Sequence, residues 1–271
     1  MPKNGLTAFK KIGLSLKSNR KRFTGPPHPD RDKQFCYIQQ TRQDFTANGL
    51  PIISIDGKKK ELIGNFKNHG RLWQYEPIEV NAHDFASDAE CKAVPYGIYD
   101  VNRNHGFVHI GTSADTPEFA VDGIVTWWKR IGQKNYLQAD KILILADAGG
   151  SNGYRCRLFK KFLQEKLANA FNISVTVCHY PSGASKWNPV EHRLFGPISC
   201  RWAGIPLQSL KLVLRLLRTT ITANGLRVCA KLTKKTYQKG IKVNDKEIKA
   251  INLVAHPVCP QWNYTIKPKK N

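Results

Sequence analysis

The stretch K-I-L-I-L-A-D-A-G-G-S-N-G, Lys141 to Gly153, decides the reading of this chain. Ile142 to Ala146 is an unbroken apolar run of strand length, bounded by charged residues, and reads as a strand buried on both faces. Asp147 stands at its carboxyl end and opens a Gly-rich polar loop that allows close backbone approach. In an α/β sheet, crevices open at the carboxyl ends of the strands, so an acidic residue there is a candidate functional group. An ordinary Asx-turn is the competing reading.

Downstream, Arg155 to Phe171 reads as a helix, apolar at Leu158, Phe159, Phe162, Leu163 and Leu167. Ile173 to Tyr180 is another strand. K-W-N-P-V-E-H-R-L-F, Lys186 to Phe195, reads as a helix start. Asn188 suits the cap and Pro189 the first helical position; Glu191 falls where a Glu reaches back to the cap residue's N–H. Leu207 to Thr222 is a further helix, and Leu226 to Lys270 reads as short strands and turns.

Upstream, Phe35 to Ala47 is helical and stops near Asn48-Gly49. P-I-I-S-I-D, Pro51 to Asp56, is a strand ending on a second acidic residue. Tyr96 to Thr112 reads as a hairpin with its turn at Asn104-His105-Gly106. Thr116 and Pro117 open a helix to Ile131, with Phe119, Ile124, Trp127, Trp128 and Ile131 as candidate core. Antiparallel strands followed by alternating strand–helix units predict an α/β fold with a mixed sheet covered by helices.

The 271 residues carry 43 Lys and Arg against 20 Asp and Glu, a formal charge of +23. That excess points to a polyanionic partner. The basic residues are spread along the chain rather than forming one amphipathic stripe, which favours nucleic acid over a lipid surface. Seven cysteines without a C-x-x-C pair imply reduced thiols and a cytoplasmic location, with the nucleoid as the expected address. Cys178, His179 and His192 lack zinc-finger spacing. The longest apolar runs are too short to span a bilayer, and the start M-P-K-N-G-L-T-A-F-K-K lacks a signal-peptide core. No membrane partner is expected.

Asp56, Asp147 and Glu191 can face one end of the sheet. Three carboxylates gathered there repel one another unless cations join them, and Mg²⁺ is the default hard ion beside phosphates. Lys58, Lys59 and Lys60 follow Asp56; Arg155, Lys186 and Arg193 lie near the other two. These six are candidate phosphate contacts, which position DNA without reading its sequence. Asp100 is a strand carboxylate expected outside the site, paired with Arg103. Trp187 is expected to be a core aromatic anchoring its loop, with base stacking as the alternative. His179 and His192 are expected to hydrogen-bond a carboxylate or phosphate, because imidazole suits a Mg²⁺ pair poorly as a ligand.

Long words of the sequence carry a resemblance. They include S-L-K-S-N-R-K (Ser15–Lys21), H-P-D-R-D-K-Q-F (His28–Phe35), D-G-K-K-K-E-L-I-G-N-F-K-N (Asp56–Asn68), V-N-A-H-D-F (Val80–Phe85) and P-Y-G-I-Y-D (Pro95–Asp100). D-A-G-G-S-N-G-Y-R (Asp147–Arg155), C-H-Y-P-S-G-A-S-K-W-N-P-V-E-H-R-L-F (Cys178–Phe195) and H-P-V-C-P-Q-W-N-Y-T-I (His256–Ile266) follow in order. From about Ser15 to Pro268 the chain resembles the DDE transposases of bacterial insertion sequences, of the Rhodopirellula-type (ISAzo-thirteen) group.

The resemblance implies a ribonuclease-H-like fold. It carries the family's catalytic and metal-binding triad onto Asp56, Asp147 and Glu191, the last two 44 positions apart. It implies two Mg²⁺ ions, with Mn²⁺ as a substitute, and double-stranded DNA at element ends and at the target as partners. It also implies homo-oligomers that bridge two DNA ends. On this reading 1–34 is a basic arm and linker left from an N-terminal DNA-binding region, 35–205 the catalytic domain and 206–271 a helical and basic extension. Two departures stand out: only the last helix of the family's helix-turn-helix region fits before S-L-K-S-N-R-K, and Gly57 follows Asp56 where a Thr is expected. Two other readings stay open: an N-terminally truncated, catalytically idle nucleic-acid-binding remnant, and a structure-selective nuclease on the same fold.

Overall fold

The computed structural model describes residues 28–269, so the expected short helix over Thr7 to Leu16 lies outside the described residues. Helix α1 (Arg31–Ala47) begins ahead of the expected Phe35 and takes in residues read as linker. It ends where Gly49, at φ +64°, enters the left-handed region. Strands β1 (Ile52–Gly57) and β2 (Glu61–Ile63) follow, then β3 (Cys91–Asp100) and β4 (His105–Gly111). Asp100 pairs with His105 across the hairpin. The turn is therefore Val101 to Asn104, and His105 and Gly106, expected in it, are strand residues. Asn104 supplies the positive φ the turn needs, at +50°.

Helix α2 (Pro117–Trp127) starts as read, with Thr116 Oγ1 accepting from the Phe119 N–H at 3.2 Å. Strand β5 (Lys141–Ala146), helix α3 (Arg157–Phe162) and strand β6 (Ser174–His179) follow. A π-helical turn over Glu191–Phe195 leads into α4 (Gly196–Arg201). The chain continues with α5 (Leu210–Arg218), capped by Ser209, then β7 (Arg227–Leu232), α6 (Asp245–Lys249), β8 (Leu253–Ala255) and β9 (Asn263–Ile266). None of the described helices is long and apolar enough to cross a membrane.

Among the described residues, nine strands form one mixed sheet, ordered β7-β4-β3-β1-β5-β6-β9-β8, with β2 on β3. β1, β5 and β6 run parallel, while β1–β3, β3–β4, β6–β9 and β8–β9 are antiparallel. β7 joins β4 in parallel. The strands beyond residue 206 thus extend the sheet at both edges.

Helices cover both faces, as the strand alternation requires. Ile53, Ile55, Ile142 and Ile144 pack under α2 and α3 with Phe119, Trp127 and Phe159. On the opposite face, Ile52, Leu143 and Leu145 pack under α1 with Ile38 and Phe45. Beside them Val190, Leu194, Phe195 and Ile198 cover β3 and β4, and α5 covers β7. Ser54 and Asp56 share the Ile52 face by the period of two.

Asp100 lies away from the carboxyl end of β1, opposite Ile53. It is fully buried and accepts from Tyr136 Oη at 2.9 and 3.0 Å and from the Arg103 N–H at 3.2 Å. The expected pairing with Arg103 is through backbone alone; the guanidinium donates to the Asn135 carbonyl and lies over the Tyr136 ring.

The segment between β2 and β3 is pinned at its base. Gly64 N–H donates to Leu207 O, Asn81 N–H to Asn65 O and Gly204 N–H to His69 O. Its tip leaves Trp73 and Tyr75 fully exposed.

Two strand glycines let the Glu191 helix reach the sheet. Phe195 lies over Gly97 and Leu194 over Gly106, and a Cβ at either glycine would collide with that side chain. Gly97 is also the residue paired with Asp56. Gly97→Ala is expected to destabilise the protein by about 1–3 kcal/mol through overpacking. A urea titration checks this: an unchanged midpoint would mean that the helix shifts freely.

Candidate active site

β1 and β5 run in parallel with Ile55 opposite Ala146. Asp56 and Asp147, the residues that follow, therefore stand at neighbouring strand ends, with backbones about 4.8 Å apart. The third carboxylate arrives after β6. The Tyr180 N–H donates to the Ala146 carbonyl at 2.8 Å, and a turn through Pro181–Ala184 leads to the helix that begins at Pro189.

Asn188 has the extended backbone of a cap residue (φ −71°, ψ 117°), and its carbonyl accepts from the Glu191 N–H at 3.1 Å. Its side chain does not cap. Asn188 is fully buried; Nδ2 donates to Asp147 Oδ1 at 2.9 Å and to the Ile55 carbonyl at 3.2 Å. Its Oδ1 accepts from Ser54 Oγ at 2.5 Å. Ser54 Oγ in turn accepts from the Val190 N–H at 2.9 Å. A strand hydroxyl thus does the capping, and the amide expected to cap ties β1, Asp147 and the Glu191 helix together. The expected capping box is absent, since the Asn188 N–H donates to Ser185 O rather than to Glu191. Burial against β1 offers this amide three partners where a cap offers one, and buried amides fill their hydrogen-bonding sites.

The carboxylates form one electrostatic cluster. Burial pushes the Asp56 pKa up to about 8, helped by the Asp147 charge and by the neighbouring Glu191 carboxyl; the Gly57 N–H, 2.7 Å from Asp56 Oδ1, opposes this. Burial also raises Asp147, against the Asn188 hydrogen bond, and Glu191 adds repulsion. Glu191 is half-buried and faces Asp56 instead of its own helix terminus. A proton retained on Asp56 is what crowded like charges adopt without a cation.

Among the described residues, no three His, Cys, Asp or Glu side chains are drawn close enough to cage a metal ion as they stand. The donors themselves suit one. They are carboxylate oxygens only and mutually repulsive, with Asp147 lining an open cleft, which is the chemistry of a hard divalent ion. Glu191 opens a π-helical turn, marked by the Gly196 N–H donating to its carbonyl. Such turns are frequent at functional sites.

His179 supports the site from behind. It is fully buried, with Nδ1 2.9 Å from the Asp147 carbonyl and Nε2 3.2 Å from Tyr264 Oη. A carbonyl only accepts, so Nδ1 carries the proton. Burial lowers the His179 pKa to about 4, which keeps the ring neutral. Gln34 on α1 donates to the His179 carbonyl at 2.9 Å and exchanges amide hydrogen bonds with Asn263. His192 is exposed and bonds the Lys186 carbonyl at 2.5 Å.

The candidate phosphate contacts divide. Arg155 lines a cleft of about 580 Å³ with Asp147, Gly150, Ser182 and Ser185. Lys186 is exposed nearby, its ammonium 5.4 Å from the centre of the Trp187 ring. Lys59 and Lys60 are exposed beside a smaller cleft with Lys67 and His69. Lys58 is held inside the protein, 2.8 Å from Glu61 and 4.4 Å from the Trp202 ring centre. Arg193 is exposed and turned toward Tyr99, whose phenol burial raises and Arg193 partly lowers. Trp187, expected in the core, is 54% exposed and touches Phe35 edge-on at 5.9 Å.

Ser54 escaped the sequence reading. Its signal is a lone hydroxyl in the apolar run P-I-I-S-I-D, two residues from Asp56 and so on the same face.

The profile of the family described as Rhodopirellula transposase DDE domain matches residues 6–268, nearly the whole chain. The chain belongs to that family. Two solved structures place this DDE-family member among ribonuclease-H-like folds. The Mos1 strand transfer complex is 14% identical, with a TM-score of 0.50 over 78% of this chain and 59% of that one. The mariner Mos1 paired end complex with Mg is 13% identical, also at 0.50, over 77% and 59%. At such identities the likeness concerns the fold. The DDE-family chain spans about three fifths of the Mos1 chains. No curated protein matches it.

Proposed function

We propose that this chain is the catalytic domain of a DNA transposase, cutting and joining DNA strands at a divalent metal centre held by Asp56, Asp147 and Glu191. The observation that carries the reading is the gathering of these carboxylates: two by the Ile55–Ala146 register, the third by the Asn188 bond to Asp147. Asp56, Asp147 and Glu191 would hold a pair of Mg²⁺ or Mn²⁺ ions, which would supply activation of a water or a DNA 3′-hydroxyl and charge stabilisation for the leaving oxygen.

The protein's own groups do the rest. Asn188 orients Asp147, and the His179 N–H fixes the Asp147 carbonyl. Arg155 and Lys186, with the Gly149–Gly153 loop, receive the phosphodiester; Lys59 and Lys60 hold flanking phosphates. Trp187 offers an exposed ring face on which an unpaired base can stack. The partners are double-stranded DNA at element ends and at the target.

The test is cation-dependent nicking and joining of DNA that carries element ends. Cleavage of RNA–DNA hybrids or branched DNA without strand transfer would favour a structure-selective nuclease instead. DNA binding without any cleavage would leave a catalytically idle remnant.

Stability offers a second check. A carboxyl whose folded pKa exceeds its unfolded value binds more protons when folded, so stability falls as pH rises from about 4 to the folded value of about 8. At neutral pH without cations, Asp56 therefore destabilises the fold. Asp56→Asn is expected to raise the cation-free melting temperature by a few degrees, at about 2–4 °C per kcal/mol. Mg²⁺ or Mn²⁺ is expected to raise the wild-type melting temperature and leave that of Asp56→Asn nearly unchanged. Equal responses in a calorimetric scan would remove Asp56 from the metal centre.

A further inference from the structure

From residue 192 to residue 244 the sequence has no Asp or Glu and eleven Lys and Arg. Part of this charge forms a line on α5. Lys211, Arg215 and Arg218 are all exposed, while Val213, Leu216 and Leu217 are buried on the inner side. Lys211 and Arg215 are four residues apart, about 6 Å along the axis. Arg201, at the end of α4, donates to Thr219 Oγ1 at 3.4 Å and so stands beside the end of α5. Among the described residues, none of these four cations makes an ion pair. Lys211, Arg215 and Arg218 border an open groove of about 570 Å³ along α5, with Leu212 and Leu214 in its lining.

Local stability does not account for the line. Arg215 and Arg218 sit in the last turn, where the helix dipole favours cations. Lys211 sits in the first turn, where the dipole disfavours one, and it repels Arg215 one turn on. The acid that would offset this on a merely solvated face is missing. Unpaired like charges held in line on a rigid helix suit a polyanion of regular spacing.

The line is also remote from the carboxylates. α5 packs on β7, at the sheet edge, three strand positions from β1, which is about 14 Å. We propose that the outer face of α5, with Arg201, is a second duplex-DNA surface that grips the phosphates of a segment outside the catalytic cleft without reading its bases. The surface rests on its own charge pattern and not on the carboxylate chemistry, so it stands or falls apart from the catalytic reading.

The experiment is fluorescence anisotropy of the full chain with a random-sequence 30-base-pair duplex over a KCl series, without divalent cations. In the double variant Lys211→Gln/Arg215→Gln, the slope of log K against log salt is expected to shrink by about 2, near 0.9 for each phosphate left without its cation. The melting temperature should hold. Arg215→Lys alone, which keeps the charge, should retain the wild-type slope. Wild-type affinity and slope in the double variant would overturn the proposal. So would unchanged DNA binding together with lost binding to anionic lipid vesicles, which would assign the face to a membrane surface.

Discussion

Asp147→Asn is expected to abolish strand cleavage and strand transfer while leaving DNA affinity nearly intact. The substitution is close to isosteric, and the new amide oxygen can still accept from Asn188 Nδ2, so the local fold should survive. What is lost is one formal charge from a cluster built around charge. Losing about 4 kcal/mol of transition-state stabilisation corresponds to roughly a thousandfold in rate, enough to drop a slow strand-cutting reaction below detection. Affinity comes from the basic surface, in a chain of net charge +23, and removing one negative charge does not weaken it. The measurement is Mg²⁺- or Mn²⁺-dependent nicking beside equilibrium binding to the same DNA. Wild-type nicking by the variant would sink the assignment of Asp147. Equal loss of cleavage and binding would point to misfolding instead, which a melting curve would reveal.

Local chemistry alone made some of this legible. Ile142 to Ala146 reads as a buried strand, and the carboxyl end of such a strand is where a crevice opens, so Asp147 stands out from the sequence alone. Thr116-Pro117 fixed the start of α2 for the same reason: cap and first turn are satisfied within four residues.

The errors arose where a distant partner outbid the local one. Asn188 has a cap's sequence position and a cap's backbone, yet Ser54, 134 residues away, claims its side chain. Lys58 is next but one to Asp56, yet β1 ends at Gly57, and beyond the strand Glu61 and the Trp202 ring hold the Lys58 side chain inside the protein. The hairpin turn slipped by two residues because Asn-His-Gly looks like a turn, whereas strand register decides where pairing closes. Trp187 has the bulk of a core residue, but its loop offers it the edge of Phe35 and the Lys186 ammonium and leaves the ring half exposed. The edge positions of β7, β8 and β9 depend on long-range pairing that short windows do not encode.

Asn188→Ala is expected to have the second large effect, on stability and on cation affinity together. The variant leaves Ser54 Oγ, the Ile55 carbonyl and one Asp147 oxygen without their buried partner. At about 1–3 kcal/mol for each buried group left unsatisfied, partly relieved by water entering the gap, the loss should be roughly 2–4 kcal/mol. The Asp147 carboxylate would also turn freely, and removing such an orienting partner typically weakens metal affinity about 10–100-fold. The prediction is therefore a shift to higher half-saturating Mn²⁺ in the nicking reaction, beyond any fall in the folded fraction. Ser54→Ala separates the two effects. It removes the hydroxyl that caps Val190 and should cost about 1–2 kcal/mol, but it leaves the Asn188–Asp147 bond in place. A cation titration like wild type in Ser54→Ala and a shifted one in Asn188→Ala would establish Asn188 as the residue that positions Asp147. Equal shifts in both would mean that the Glu191 helix start, and not the Asp147 carboxylate, is what this amide holds in place.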